Sequence, residues 1–568
     1  MEQFKINCVE TQGISFAPIL RYYFERCRIS KIIDEHVWCD PRRKKLTHGQ
    51  ACIAMITGIF CQVMQLYHLR KLSEDTTILD IVLPSIEGKE YFDDQLADTL
   101  DVLFSYGLGN LEMLITRWII EEFKIENDIV HNDTTSASVY GRYEQGDSEG
   151  IHITYGYSKK HRQDLKQLVW SLSVSSDHAF PLFQQAYNGN TADVDTYVEQ
   201  WLNLIDLLDR KDFLFVADSK LITKENMVHI HDNDGFFLAP APMYETYKDV
   251  FNEALDKHPQ EILMPYKNKL SRGFEVPFTI SHNDETYTFR MIIIYDHGLF
   301  ARKRYTINNR IEKTKAAFEE LKKKLNKYNL KTQEGIEKAC CGILEKYHAT
   351  EMFEYEITND PKVTYKNKKR GRSKKGQKPQ KNTVVKDCYS ITLTFKDEIY
   401  QDQLYKCGYY PLLSNMPKET FTIEDAMLKH KNQYKSEHTN RRAKGQYQLE
   451  PIYLHKPERI EAYLFLFKIA LQLLVLIERT ARENIAKRDK GLDNFRPNRK
   501  DVRNPKSEYL LKEFQYIVLG KILLQNGNIH YFVSELKDLQ KQILEILEVP
   551  SLCFTYDYLF GGLQIPDY

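Results

Sequence analysis

The chain has 568 residues, 42% of them hydrophobic, 28% charged and 12% aromatic, which excludes wholesale disorder and leaves room, at roughly 100 to 200 residues per domain, for several globular units. Lys plus Arg and Asp plus Glu both number 79, so no global charge excess draws the chain to nucleic acid, and any attraction to phosphate has to come from local clusters. Ten cysteines form no C-x-x-C pair, and the adjacent Cys340 and Cys341 are poorly placed to chelate one zinc, so all are read as reduced core thiols.

The opening MEQFKINCVETQG has no basic stretch followed by an apolar one, so a cytoplasmic location is expected. From residue 19 to 124, apolar positions recur at three and four through APILRYYFERCRISKIIDEHV, HGQACIAMITGIFCQVMQLYHLRKL and DQLADTLDVLFSYGLGNLEMLITRWIIEEF. This pattern predicts an N-terminal helical bundle. Ile129 and Val130 then lead, as a first strand, into HNDTTSASV, and further strands are expected at 168–174, 180–187, 213–216 and 236–239, with a helix over 193–208 between those at 180–187 and 213–216. Past Pro242 come a charged helix over 309–329, a second over 333–347, and then KNKKRGRSKKGQKPQK (366–381), which lacks any acidic residue and reads as a flexible basic loop. Strands are predicted at 389–395 and 409–413. A helix is predicted over 422–444, with Thr422 as N-cap and Glu424 and Asp425 in its first turn. The longest apolar stretch, 463–477, contains Lys468 and Gln472 and falls short of the roughly 20 residues of a membrane span, so it predicts a buried helix and no membrane partner. A final helical region is expected over 507–547.

Asp133 follows Ile129 and Val130, and Asp218 follows FLFV, so two strands each offer a carboxylate where open sheets gather function. Such oxygens suit Mg²⁺ and metal-assisted phosphodiester chemistry, although either Asp would serve equally well to begin a turn or cap a helix. A third carboxylate is offered by Glu437 on the 422–444 helix. Lys444, two turns later, lies on nearly the same face, about 10 Å along the axis, and His430 shares that face. On its own, this is also what a solvated surface helix looks like.

Taken together, LTHGQACIAMI, HNDTTSASVYGRY, ITYGYSKKHRQDLKQLVWSLSVS, NGNTADVDT, FLFVADSKLITKENM, IYLHKPERIEAYLFL and RPNRKDVRNP resemble the DDE transposases of bacterial insertion sequences, in the IS-four superfamily and its IS-sixteen-thirty-four branch. The resemblance spans nearly the whole chain, and YGYSKKHRQDLKQ is its most specific block. It implies an α/β fold: an RNase H-like catalytic domain interrupted by an insertion domain, with an N-terminal helical bundle and a C-terminal helical region. The implied division is 1–125 for DNA-end binding, 126–242 for the first catalytic part, 243–418 for the insertion, 419–490 for the second catalytic part and 491–568 for the C-terminal region. Asp133, Asp218 and Glu437 are the implied catalytic triad and the ligands of two Mg²⁺ ions, with Mn²⁺ as substitute. The family signature on the catalytic helix, Tyr, two residues, Arg, three residues, Glu, six residues, Lys, is met at Glu437 and Lys444 but holds His430 and Gln433 at its first two places. Tyr463 stands where the branch carries His.

The expected partners are double-stranded DNA, as terminal inverted repeats and target, and a second copy of the chain in the DNA complex, with nucleoid association. Lys160, His161, Arg162 and Lys166 are expected to hold DNA near the scissile phosphate, unless Arg162 pairs with Asp164 and merely fixes the turn. Lys369, Arg370, Arg372, Lys374 and Lys375 of the basic loop, and Lys444, are expected on the phosphate backbone, the other reading of the loop being a solubilising linker. Two alternatives to an active transposase are a decayed DNA-binding repressor and an RNase H-like nuclease that cuts without joining.

Overall fold

The computed structural model describes the chain except residues 1–5, 43–44, 144–147, 159–161, 368–380, 446, 448, 496–498 and 562–568. Strand β1 (Ile6–Gly13) precedes helices α1 (Ala17–Arg26), α2 (Ile29–His36), α3 (His48–Phe60), α4 (Tyr67–Asp75), α5 (Ile78–Val82), α6 (Asp93–Tyr106) and α7 (Leu108–Phe123). Helix α3 begins at a capping box, in which the Thr47 hydroxyl and the Gln50 side chain each accept the other residue's backbone N–H. Almost every residue of α3 is buried, because its sequence is apolar all round and suits the centre of a bundle.

The next elements build one large mixed sheet. Strands β2 (Ile129–Val139), β3 (Lys166–Ser175) and β4 (Pro181–Tyr187) form an antiparallel meander; helix α8 (Tyr197–Leu208) crosses to β5 (Leu214–Val216), and α9 (Lys224–Asp232) leads to β6 (Phe236–Pro240). β5 runs parallel to β2, and β6 parallel to β5. After α10 (Glu245–Asp256), strands β7 (Ile262–Tyr266), β8 (Lys269–His282) and β9 (Glu285–Tyr295) extend the same sheet. The chain then leaves it through α11 (His297–Lys324), α12 (Gln333–Lys346), β10 (Phe353–Asn359), β11 (Lys362–Asn367), β12 (Lys381–Lys386), β13 (Tyr389–Phe395) and α13 (Asp397–Lys406), and returns as β14 (Tyr409–Ser414). The sheet order is β4-β3-β2-β5-β6-β14-β9-β8-β7.

The interval 243–418 is therefore not one inserted body. β7, β8, β9 and β14 belong to the central sheet because β14 pairs with β6 on one side and β9 on the other. Only the segment from α11 to α13 has its own core, in which Ile307, Phe318, Ile336, Leu344, Phe353 and Ile391 pack together.

Helices α14 (Ile423–Lys431), α15 (Tyr434–Gly445) and α16 (Pro457–Ala486) follow. The helix expected over 422–444 is thus two helices. Thr422 does cap α14, in a capping box with Asp425, but the basic residues Lys429, His430 and Lys431 fill its last turn, where cations meet the carbonyl end of the dipole, and Asn432 closes it. His430 accordingly does not share a helix with Glu437. It packs at 5.7 Å from the Tyr410 ring, and burial pushes its imidazole down to about 4, so it is neutral near pH 7.

α16 is the one described helix long and apolar enough to cross a membrane, and 94% of its most apolar window is buried inside the fold, as a core helix requires. Its buried Lys468 ammonium donates to Thr116 at 2.6 Å and pairs with the buried Glu112 at 3.3 Å. The C-terminal region is not wholly helical: between α17 (Ser507–Lys512) and α18 (Asp538–Ile546), β15 (Val518–Leu524) and β16 (Ile529–Val533) form a hairpin, and α19 (Tyr556–Leu559) follows. β15 pairs with β1, so the N-terminal bundle contains a strand and the two ends of the chain share a sheet. The charged helix expected over 309–329 begins earlier, at His297, because the Asp296 side chain accepts the Leu299 N–H and caps it.

Candidate active site

Asp133 lies inside β2, not beyond its end: the strand runs on through Thr134–Val139, whose small and β-branched residues pair with Lys166–Ser171 of β3. What brings the carboxylates together is the β2–β5 register, with Ile129 beside Leu214, Val130 beside Phe215 and His131 beside Val216. Two residues further along each chain stand Asp133 and Asp218, so the two acids occupy neighbouring positions at the carboxyl end of β5. Both are half-buried.

Each is held by a neutral donor. Asp218 caps the turn Ser219–Leu221; its Oδ1 accepts the Lys220 N–H at 2.9 Å and the Tyr197 hydroxyl at 2.6 Å. Tyr197 is the first residue of α8 and is buried, and its phenol is pushed far up, first by burial and then by the negative charges of Asp218, Asp193 and Asp133. Three carboxylates therefore act on one buried hydroxyl, which stays protonated and donating. Asp193 pairs with the Lys220 ammonium. Asp133 Oδ2 accepts the Asn440 amide at 2.8 Å.

Asn440 is on α15, three residues after Glu437, so the two share a face, about 4.5 Å apart along the axis. Glu437 is exposed and lies one turn before the residue that touches Asp133. The helix is fastened on both sides. Lys444 donates to Thr135 Oγ1 and to the Ser136 carbonyl at 2.7 Å, pinning α15 along β2. Arg442 reaches the other way, to Glu478 of α16 at 2.9 Å and to Ser507 and Glu508 at the start of α17. The Lys444 ammonium is thus turned to the strand and not, as expected, outward to DNA.

The carboxylate oxygens of Asp133, Asp218 and Glu437 are not all within 4.8 Å of one another; the group meeting that distance among the described residues is Asp177, His178 and Glu483. That second group is organised by a cation of the protein itself, since Arg479 bridges Asp177 at 2.9 Å and Glu483 at 3.0 Å.

The YGYS and NGN motifs meet backbone to backbone. A Cβ on Gly156 would sit 2.0 Å from the Gly189 carbonyl oxygen, and one on Gly189 would sit 2.0 Å from that of Gln167, so only glycine permits this closure. The loop between β2 and β3 also docks on the start of α16, where Glu458 accepts from Ser148 Oγ at 2.7 Å and Glu461 accepts from the Ile151 N–H at 2.8 Å. Arg162 is paired with Asp164 at 2.8 and 2.7 Å, the turn-fixing arrangement, while its side chain remains half exposed. Lys166 donates to the Tyr143 carbonyl at 2.9 Å and to that of Arg142, so its ammonium closes the loop. Lys160, His161, Lys369, Arg370, Arg372, Lys374 and Lys375 lie outside the described residues.

Sequence reasoning passed over Tyr197, Asn440, Asp193 and Lys220. A signal existed for Asn440, at helical spacing from Glu437, and for Lys220, two residues after Asp218. A family model described as a domain of unknown function (DUF4277) matches residues 9–116, from within β1 to within α7, and ends before the carboxylate-bearing strands begin. No curated protein matches the chain.

Proposed function

We propose that the chain is a DNA transposase of the bacterial insertion-sequence type, cleaving and joining DNA strands at a site built from Asp133, Asp218 and Glu437. The observation that carries this reading is the parallel β2–β5 register, which sets Asp133 beside Asp218 while α15 lies against Asp133 through Asn440. Two further features support it. The order β4-β3-β2-β5-β6, three antiparallel strands followed by two parallel ones, is the arrangement expected of an RNase H-like domain. DUF4277 domains, such as the one matched at residues 9–116, occur in transposase-like proteins.

The donor set fits hard divalent cations. The oxygens are carboxylate, and the hydrogen bonds that orient them include those from the Asn440 amide, the Tyr197 phenol and a backbone N–H, neutral donors that fix direction without themselves bringing charge. When bound, two Mg²⁺ ions, with Mn²⁺ as a substitute, would activate the attacking hydroxyl and stabilise the leaving oxygen. The chain's own part is positioning. Asn440 and Tyr197 aim the two aspartates, Lys444 and Arg442 hold α15 and hence Glu437, and the Lys220 ammonium, paired with Asp193, also feels the charge of Asp218.

The test is strand joining. With Mg²⁺ and duplexes ending in the repeats that flank its reading frame, the full chain should insert those ends into a supercoiled plasmid. Cutting without insertion would leave a nuclease, and sequence-specific binding without cutting would leave a repressor.

A further inference from the structure

The segment between β10 and β13 is a long hairpin whose two halves differ. Near its base, β10 and β13 pack on the core of the α11–α13 body through Phe353 and Ile391. Past a junction where the Asn359 side chain bonds Asp387 at 2.9 Å and the Cys388 N–H at 3.0 Å, it continues as the ribbon β11–β12. No described core cluster includes a ribbon residue, and Val363, Tyr365 and Val385 are 52%, 67% and 62% exposed. A two-stranded ribbon with no described core packed on it is marginal in water, so a partner laid along it would hold its shape.

Its charge says which partner. From Lys362 to Lys386 the sequence holds eleven Lys and Arg and no Asp or Glu, in a chain whose net charge is zero. The register then divides the ribbon's faces: Lys362 lies opposite Lys386, Thr364 opposite Val384 and Lys366 opposite Asn382, whereas Val363 lies opposite Val385 and Tyr365 opposite Thr383. Directly opposed residues project to the same side, so one face carries Lys362, Lys366, Lys386, Thr364 and Asn382 about Val384, and the opposite face carries Val363, Val385, Tyr365 and Thr383. Two strands about 4.8 Å apart fit a B-DNA major groove about 12 Å wide, and six residues span about 20 Å along it.

We propose that β11–β12 is a DNA-reading arm that lies in the major groove, with Thr364 and Asn382 toward base edges and Lys362, Lys366 and Lys386 on the flanking phosphates. This deepens the transposase reading and rests on it for the choice of duplex DNA as the ligand. It also differs from a basic loop that merely clings to the backbone, because it assigns base-facing residues and a groove.

The experiment uses the full chain without metal, so that binding is separated from cutting, and duplexes carrying the flanking repeats. In the wild type, guanine N7 atoms in the bound repeat should be protected from methylation. The variant K362Q/K366Q/K386Q leaves 368–380 intact. It should lower the slope of log affinity against log salt by about 2 to 3, at about 0.9 per phosphate contact, and lose that protection. Thr364→Ala with Asn382→Ala should keep the slope while narrowing the preference for the repeat over random duplex. Unchanged melting temperatures check that the fold survives. A wild-type footprint and slope in the lysine variant would overturn the arm, as would metal-dependent cleavage by a chain that protects no guanine N7. Stronger binding to RNA hairpins than to any duplex would overturn it too. A wild-type chain that neither binds nor cuts DNA would overturn the transposase reading itself.

Discussion

Replacing Arg442 with Met removes the cation that fastens α15 to the rest of the fold. The side chains involved are nearly out of water: Arg442 and Glu508 are each 8% exposed and Glu478 is 11%. Glu478 keeps a second partner, Arg482, at 2.5 Å, so the group stranded by the substitution is Glu508. Burial pushes the Glu508 carboxyl up, but the hydrogen bond and charge of Arg442 outweigh it and hold the group below its ordinary range. Wild-type Glu508 therefore contributes stability above its unfolded pKa, near 4.3, that is lost as pH falls through its lower folded value. Without Arg442 burial dominates and the folded pKa rises above the unfolded one, so the deficit is small in acid and grows with pH. Breaking a buried pair in this way costs about 3 to 5 kcal/mol near neutrality. Urea unfolding at about pH 5 and about pH 7.5 should show the deficit at the higher pH and its shrinkage at the lower. Glu508→Gln added to Arg442→Met should recover part of it, because the orphaned charge is gone. A loss under about 1 kcal/mol at the higher pH, as for an exposed pair, would refute the reasoning, as would a double variant no more stable than the single one.

Tyr197→Phe removes the hydroxyl that donates to Asp218 at 2.6 Å; DNA cleavage should fall by about 10- to 100-fold, the usual effect of losing a group that orients a metal ligand, with metal affinity reduced in a calorimetric titration. Asn440→Ala should do the same through Asp133, and Asn440→Asp should be worse than Ala, because it sets a like charge 2.8 Å from a carboxylate. Glu461, pushed by burial from an ordinary 4.5 to about 7, contributes stability that is complete below 4.5 and lost as pH rises through 7. Glu461→Gln, which keeps an acceptor for the Ile151 N–H, should accordingly gain about 3 kcal/mol on the wild type between pH 4.5 and pH 8, measured as the change in their stability difference; parallel pH profiles would contradict this.

The sheet was legible where burial is two-sided. β3 to β6 appear in the sequence as apolar runs because both faces are covered, and their ends fall within two residues of the expected ones. β2 was legible only in its first half, since Thr134–Ser138 is small and polar and its strand character comes from pairing with β3. The break between α14 and α15 had a local sign, three basic residues followed by Asn432, that the helical spacing of His430 and Glu437 obscured. The β15–β16 hairpin had one as well: Asn526–Gly527, between apolar runs, makes the turn with Gly527 at φ +84°. β1 had none, because a lone edge strand is defined by a partner more than 500 residues away. At the site, Asp133 and Asp218 could be named from strand and motif. Tyr197 could not, and Asn440 only as a neighbour of Glu437 on one helix face, because their contacts with the aspartates depend on how α8 and α15 sit against the sheet, a tertiary fact that no local pattern encodes.

The claim that Asp133, Asp218 and Glu437 act as one metal-holding set is tested most directly by comparing cleavage of flanking-repeat duplexes by the wild-type chain and by Asp133→Asn, Asp218→Asn and Glu437→Gln, each with Mg²⁺, with Mn²⁺ and with chelator. The account predicts metal-dependent cutting by the wild type and a loss of at least about 10³-fold in each variant, with melting temperatures and repeat binding preserved. Wild-type rates in any one of the three variants, or cutting that persists in chelator, would contradict it.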